Sequence, residues 1–311
     1  MQPLRASGLS AENVRAMREL GEPFWLDVDS SDSRQHALLA DVFAFHPLAI
    51  EDTLNRRTRV KVEDYDGYIF VVLRAMQIGD GDTLDTHALD ISKLCIFLAA
   101  NYVVSVHADA SSIIDKASSR VSGNDPGRVA HAISDVVIDE YFPILDRVDN
   151  FVDRLERSNL SDIDRSSFRD ILQVRRLAFA TRRSLRPQQA IFDALAHHPP
   201  ALLSRDAQLY FRDVYDHAER IAESLEAYHE LMGTTTDAYI AQLSTRLDYA
   251  TTVFSAIATL TIPVLVISSL FGMNFADIPF ARSPHGFWIA VGLQIIISVA
   301  VFVVLRRRRL I

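Results

Sequence analysis

The chain has 311 residues, a formal net charge of −8, a single cysteine and 49% hydrophobic residues. That length can hold a full folded domain, and the acidic balance disfavours nucleic acid as a partner while suiting divalent cations. The lone Cys95 excludes a disulfide framework within one chain.

The opening residues are polar and lack the apolar core of a cleavable signal peptide. Runs rich in β-branched and aromatic residues predict strands at Phe24 to Val28, Tyr68 to Met76, Ile91 to Leu98 and Tyr102 to His107. Cys95 lies in one of these runs and is expected as a small buried hydrophobe. Ser33 to Ala44 reads as an amphipathic helix, "GDGD" at 79–82 as a turn, and "AANY" at 99–102 as a hairpin turn. After "SGNDPG" at 122–127 the pattern is helical almost throughout, with breaks at "SNLSD" and "HHPP". His197 and His198 fall in the second break, have no metal-ligand spacing, and are expected at the surface. From about Ala201 to Met273 only Pro263 interrupts, which predicts one helix of roughly 110 Å.

Two stretches, Tyr249 to Ala276 and Gly286 to Leu305, contain no Asp, Glu, Lys or Arg. Each exceeds the roughly 20 residues needed to cross a bilayer. The tail from residue 249 carries five arginines and one aspartate, +4, so −12 falls on the residues before it. Arg306 to Arg309 directly follow the second stretch, and clustered arginine beside a span marks the cytoplasmic side. Two spans return the chain to the side it left, so both termini are expected in the cytoplasm. The expected organisation is an α/β domain over 1–125, a helical region with a stalk helix over 126–248, a first transmembrane helix over 249–274, an external loop over 275–285, a second transmembrane helix over 286–305 and a basic tail over 306–311.

Steps of four and three from Asp237 trace a face of Asp237, Ala241, Ser244, Asp248, Thr251, Ser255, Ala258, Ile262, Leu265, Ser269 and Gly272, mostly small or polar. The roughly opposite face carries Val253, Ile257, Leu260, Val264, Ile267 and Phe271. A helix alone in lipid has no reason to segregate its side chains this way, whereas one facing lipid on one side and a protein interface or aqueous axis on the other does. The 3.5-residue repeat suits a left-handed bundle of several copies. A stripe of small residues packing without a pore gives the same pattern. Two spans per chain do not enclose a channel, so conduction requires a symmetric oligomer.

The first span ends on Gly272, Met273 and Asn274. Gly and Asn also suit a helix C-cap, so the tripeptide gains meaning from its place before a short external turn. There the sequence resembles the CorA family of divalent cation channels, which carries Gly-Met-Asn at this position. "WLDV" at 25–28, "HPLAIEDTLN" at 46–55 with "VKVEDYDGYIFVVL" at 60–73, "NYVVSVH" at 101–107, "DEYFPILDRVD" at 139–149 and "YFRDVYDH" at 210–217 resemble family segments in family order.

The resemblance implies an α+β cytoplasmic domain with a mixed sheet and flanking helices, then a long stalk helix and two C-terminal transmembrane helices, assembled as a funnel-shaped homopentamer. It implies that the first span lines the pore and that the Gly272, Met273 and Asn274 tripeptide forms the selectivity filter. Mg²⁺ sheds water reluctantly, so a ring of Asn274 carbonyl oxygens would hold the hydrated ion without trapping it. Asp237 and Asp248 would form carboxylate rings at the cytoplasmic end, with solvated stalk positions as the bland alternative. Phe254, Ile262 and Leu265 would narrow the apolar middle. Asp213 matches a family position that helps bind regulatory Mg²⁺ between subunits, with Asp80, Asp82, Asp85 and Asp90 as candidate partners.

Two departures bear on ion preference. The external turn commonly reads Met-Pro-Glu-Leu, but here "IPFA" puts Phe280 in place of the acid, with Asp277 as a partial substitute. "STRLD" places Asp248 where the family usually has a carboxamide. Mg²⁺ is the expected ion, with Co²⁺ or Ni²⁺ as further cargo and a ZntB-like Zn²⁺ transporter as the nearest alternative. A membrane-anchored Mg²⁺ sensor that does not conduct is the alternative from another class. No GxSxG, Walker or HExxH motif is present, so an enzyme is not expected.

Overall fold

β-branched and aromatic runs build one mixed sheet in the first part of the chain. Its strands are β1 (Pro3–Arg5), β2 (Phe24–Asp29), β3 (Lys61–Tyr65), β4 (Tyr68–Ile78), β5 (Leu89–Ala99) and β6 (Tyr102–His107), in the order β1-β2-β6-β5-β4-β3. The computed structural model describes residues 1–79, 84–157, 165–273 and 283–307. They form two units, Met1–Thr236 and Asp237–Ile311.

β1, β2 and β6 run parallel, and β6, β5, β4 and β3 form an antiparallel meander. The four expected strands are all present, and the β5–β6 hairpin turns between Ala99 and Tyr102 as "AANY" predicts. Two strands escape the periodicity. β1 has three residues, and β3 is a charged edge strand, "KVEDY", whose polarity protects an open edge. Gly67 at φ +87° turns β3 into β4, a conformation that costs glycine little.

Both faces of the sheet are covered, so β2 and β6 are buried along almost their whole length and read as apolar runs. One face packs on α1 (Ala11–Leu20), α2 (Ser33–Asp41) and α3 (Pro47–Leu54) through Phe24, Phe43, Phe45, Tyr68, Phe97 and Tyr102. Phe45 and Phe97 stack with ring centroids 4.0 Å apart. The other face meets α5 (Pro126–Asp139), which follows α4 (Ser111–Arg120), and then α6 (Phe142–Arg157) and α7 (Arg165–His197). Cys95 is buried among apolar neighbours, and burial pushes its thiol up to about 12.

Two buried polar groups inside this sandwich, Asp27 and Gln188, are well paired. Buried Asp27 accepts from Ser105 Oγ at 2.6 Å, has His107 Nε2 at 3.3 Å and pairs with Arg5, while Trp25 Nε1 donates to Ser105 Oγ at 2.9 Å. Burial works against the Asp27 charge, but His107, Ser105 and Arg5 together hold its carboxyl below the ordinary range. On the opposite side of the core the amide of Gln188 on α7 behaves like a strand segment. Its Oε1 accepts from Arg74 N at 3.0 Å, and its Nε2 donates to Arg74 O at 3.0 Å.

α7 ends at His197, at the expected "HHPP" break, and His197 and His198 are exposed. The "SNLSD" break, like Asp80 and Asp82 of "GDGD", lies outside the described residues. α8 then runs unbroken from Arg205 to Gly272 with Pro263 inside it. In the second unit α8 is joined by α9 (Gly286–Arg307), and both helices are long and apolar enough to cross a membrane. Gln294 on α9 donates from Nε2 to Ser268 Oγ at 2.7 Å, and Ile267 and Ala290 are buried.

Candidate functional site

α5 begins at a well-made N-cap. Asp125 Oδ1 accepts from Gly127 N at 2.8 Å, Pro126 occupies the first turn, and Ser204 Oγ donates to Asp125 Oδ2 at 2.9 Å. A Cβ added at Gly127 would come within 2.6 Å of Ala207 Cβ. Glycine is therefore what lets the start of α5 close on the start of α8. Further along, Arg128 lies 3.8 Å over the Tyr210 ring, and His131 packs 5.2 Å from the same ring.

One more turn along these helices the close approach brings acids together. Asp135 on α5 and Asp213 and His217 on α8 place one ligand atom each within 4.8 Å of one another. Asp213 Oδ1 lies 3.7 Å from His217 Nε2. Arg120 reaches in from α4, with Nη1 at 2.7 Å from Asp135 and 2.5 Å from Asp139, so Asp135 is already partly neutralised. Asp213 is exposed, and the nitrogen facing its carboxylate belongs to the His217 imidazole. Two ring nitrogens close to this group, His217 Nδ1 and His131 Nε2, are buried without a hydrogen-bond partner among the described residues. Burial holds His131 below the ordinary imidazole range, against the pull of Asp135 and Asp213.

Two carboxylates and an imidazole form a donor set for a divalent cation. Ligands on opposite sides of Mg²⁺ stand about 4.2 Å apart, twice its ~2.1 Å bond length, so this group fits the ion through one or more retained waters. Of the partners expected for Asp213, Asp85 instead caps a short turn by accepting from His87 N at 3.0 Å, Asp90 is exposed at the end of β5, and Asp80 and Asp82 lie outside the described residues. Asp135 and His217 escaped the sequence reading, although His217 sits within the same "YFRDVYDH" segment. The available signal was the i, i+4 spacing of Asp213 and His217 on one helical face.

The second group of expected positions lies on α8 in the second unit. Asp237, Ser244, Asp248, Thr251, Phe254, Ser255, Ala258, Ile262, Leu265, Ser269 and Gly272 are all exposed there. On the other face Leu260, Val264, Ile267 and Phe271 are buried or half-buried, while Val253 and Ile257 nearer the start of the span are exposed. Thr251 Oγ1 donates to Leu247 O at 2.9 Å, which ties up its proton and leaves oxygen lone pairs directed outward. Gly272 closes α8 in helical conformation and is absent from the glycines with positive φ, so its turn freedom is not used there. A Cβ at Gly272 would meet nothing within 4 Å. Asn274, Asp277 and Phe280 lie outside the described residues.

Comparison with known proteins points one way. The family model for the CorA-like Mg²⁺ transporter protein matches residues 21–307. The chain is 25% identical over 308 residues to the cobalt/magnesium transport protein CorA of Thermotoga maritima, covering 96% of this chain and 86% of that one. It is also 25% identical over 278 residues to the divalent cation transporter CmaX of Pseudomonas aeruginosa, covering 86% and 82%. The complete structure of the CorA magnesium transporter from Methanocaldococcus jannaschii superposes with a TM-score of 0.72 at 18% identity, covering 91% and 90%, which is a likeness of fold.

Proposed function

The chain belongs to the CorA-like Mg²⁺ transporter family, and from that premise we propose that it is a cation channel of the plasma membrane, or of the inner membrane where there are two, assembled as a homopentamer. The observation that carries the proposal is the face of α8 from Asp237 to Gly272, which is exposed at every expected position, while Leu260, Val264, Ile267 and Phe271 on the other side are buried or half-buried. In five copies around an axis such a face provides hydroxyls and carboxylates to water and ions, and isolates them from lipid. The first span and α9 cross the bilayer, both termini are cytoplasmic, and the external turn holds the Asn274 ring. In this reading the helical region with its stalk helix spans 126–248 and the pore helix spans 249–274.

In this reading the cargo is a hydrated divalent cation, Mg²⁺ first. The relatives named for cobalt and for divalent cations support a range that includes Co²⁺. Asn274 selects by accepting hydrogen bonds from the ion's waters, Asp237 and Asp248 receive the ion at the cytoplasmic end, and Phe254, Ile262 and Leu265 form the dewetting constriction. The Asp135, Asp213 and His217 group is the cytoplasmic sensor. Cation binding there relieves repulsion between the acids and favours the closed arrangement.

Flux into proteoliposomes tests the proposal. The wild-type protein should carry Mg²⁺. Asn274→Leu should remove flux while the oligomer persists, since its loss as a cap costs about 1 kcal/mol. Asn274→Asp should bind cations more tightly and pass them more slowly. Wild-type flux through the leucine variant would overturn the filter assignment, and absence of flux from an intact wild-type oligomer would favour a non-conducting sensor.

A further inference from the structure

We infer that the α/β domain carries a site for a nucleoside triphosphate, a polyphosphate with a flat apolar head, in a cleft of ≈930 Å³ between the α3–β3 connection and α7. Its charged lining is wholly cationic: Arg57 and Arg59 from the connection, Arg74 from β4 and Arg183 from α7. The chain holds 40 acidic against 32 basic residues, yet no ion pair among the described residues involves any of these four. Four like charges around one cleft repel each other, and an anion placed between them relieves that repulsion.

The arginines are held in place without being neutralised. Arg74 donates from Nη2 to Arg56 O at 2.9 Å and to Thr58 O at 3.1 Å, which staples the connection to the sheet. Thr58 is buried and donates to Asn55 O at 2.9 Å, so the backbone that presents Arg57 and Arg59 is preorganised. On α7, neighbouring arginines differ in fate. Arg182 pairs with Glu226 on α8, while Arg183, the next residue round the helix, faces the cleft. Guanidinium groups arranged this way suit phosphate oxygens, which they bind bidentately.

Besides Thr58, Thr86 and Ser184, the remaining wall is apolar, which a bare phosphate would not use. Phe179, one turn before Arg183 on the same side of α7, is 51% exposed, and Ile91 on β5 is 44% exposed. The Phe179 ring packs 5.8 Å from the His229 ring on α8, and its exposed half, one helical turn from Arg183, offers a stacking surface beside a phosphate contact. The volume lies within the range of sites for molecules of nucleotide size.

Equilibrium binding of ATP to the full-length oligomer in detergent tests this site, using the potassium salt without divalent ions so that chelation plays no part. Saturable binding that weakens with salt is expected, and inorganic tripolyphosphate should compete. The double variant Arg59→Glu, Arg183→Glu alters exposed side chains and should elute as the wild-type oligomer, with ATP affinity at least tenfold lower. Phe179→Ala should weaken ATP about fivefold or more and leave tripolyphosphate unchanged. No saturable ATP binding up to millimolar concentration, or wild-type affinity in the charge-reversed variant, would overturn the site. Equal ATP affinity in Phe179→Ala would overturn its nucleoside half. Direct binding is read here, so a failure of the transport proposal would leave this result standing, and the reverse holds as well.

Discussion

A ligand atom of Asp135 on α5 stands within 4.8 Å of one on Asp213 of α8, with His217 completing the group. Arg120 answers Asp135 in part, so the charge left between Asp135 and Asp213 weakens the α5–α8 contact and a bound cation would relieve it. Millimolar Mg²⁺ should therefore raise the thermal midpoint of the full-length protein. A ligand at 100 times its Kd contributes about 2.7 kcal/mol. Asp213→Asn should abolish most of that shift and raise stability without metal. His217→Ala should weaken Co²⁺ more than Mg²⁺, since imidazole suits the transition metal better. Midpoints measured with each ion check both outcomes, and an unchanged Mg²⁺ response in Asp213→Asn would place the sensor elsewhere.

Gly127 governs the same contact from a distance. A methyl there would meet Ala207 Cβ at 2.6 Å, so Gly127→Ala must push the start of α5 away from α8. Overpacking of this kind costs about 1–3 kcal/mol. The shift should also spread Asp135 from Asp213 and weaken Mg²⁺ stabilisation, although neither ligand is altered. Gly127→Ala with Ala207→Gly should recover both, which denaturant and metal titrations would detect.

Gln188 fastens α7 to the sheet by exchanging two hydrogen bonds with the Arg74 backbone, and Tyr141 Oη donates to Arg74 O at 3.1 Å. Burial pushes the Tyr141 phenol up to about 12. Gln188→Leu leaves the buried Arg74 N–H without its acceptor and should cost about 1–3 kcal/mol. Tyr141→Phe should cost about 1 kcal/mol, because Gln188 still serves the carbonyl. Urea unfolding of the two variants gives the comparison.

Asp27 supplies a pH dependence whose sign follows from its depressed pKa. A carboxyl whose folded pKa lies below the unfolded value of 3.8 adds stability above that value, and this is lost as pH falls through the folded pKa. Asp27→Asn breaks the buried pairing with Arg5 and His107 and should cost about 3 kcal/mol at neutral pH. The gap between wild type and variant should narrow as pH drops below 3.8. A gap that stays constant down to pH 2 would mean that packing around Asp27, and not its charge, sets the loss.

The features legible in the sequence are those whose cause is local. Bilayer thickness sets the length of an uncharged run, so the two spans read directly from Tyr249 to Ala276 and Gly286 to Leu305. A strand buried on both faces is an apolar run, so β2, β4, β5 and β6 were readable, while three-residue β1 and charged β3 were not. The helical repeat likewise puts the stripe from Asp237 to Gly272 on one face of α8. Gly272 is a partial exception, since its glycine suggested a turn and its backbone is helical. What only the tertiary structure decided depends on residues far apart in the chain. Asp135 meets Asp213 because Gly127 lets two helices approach, and Arg59 and Arg183 line one cleft because Gln188 docks α7 on β4. Periodicity reports which face of an element a residue occupies, but the partner of that face is chosen by packing between elements, which no local pattern encodes.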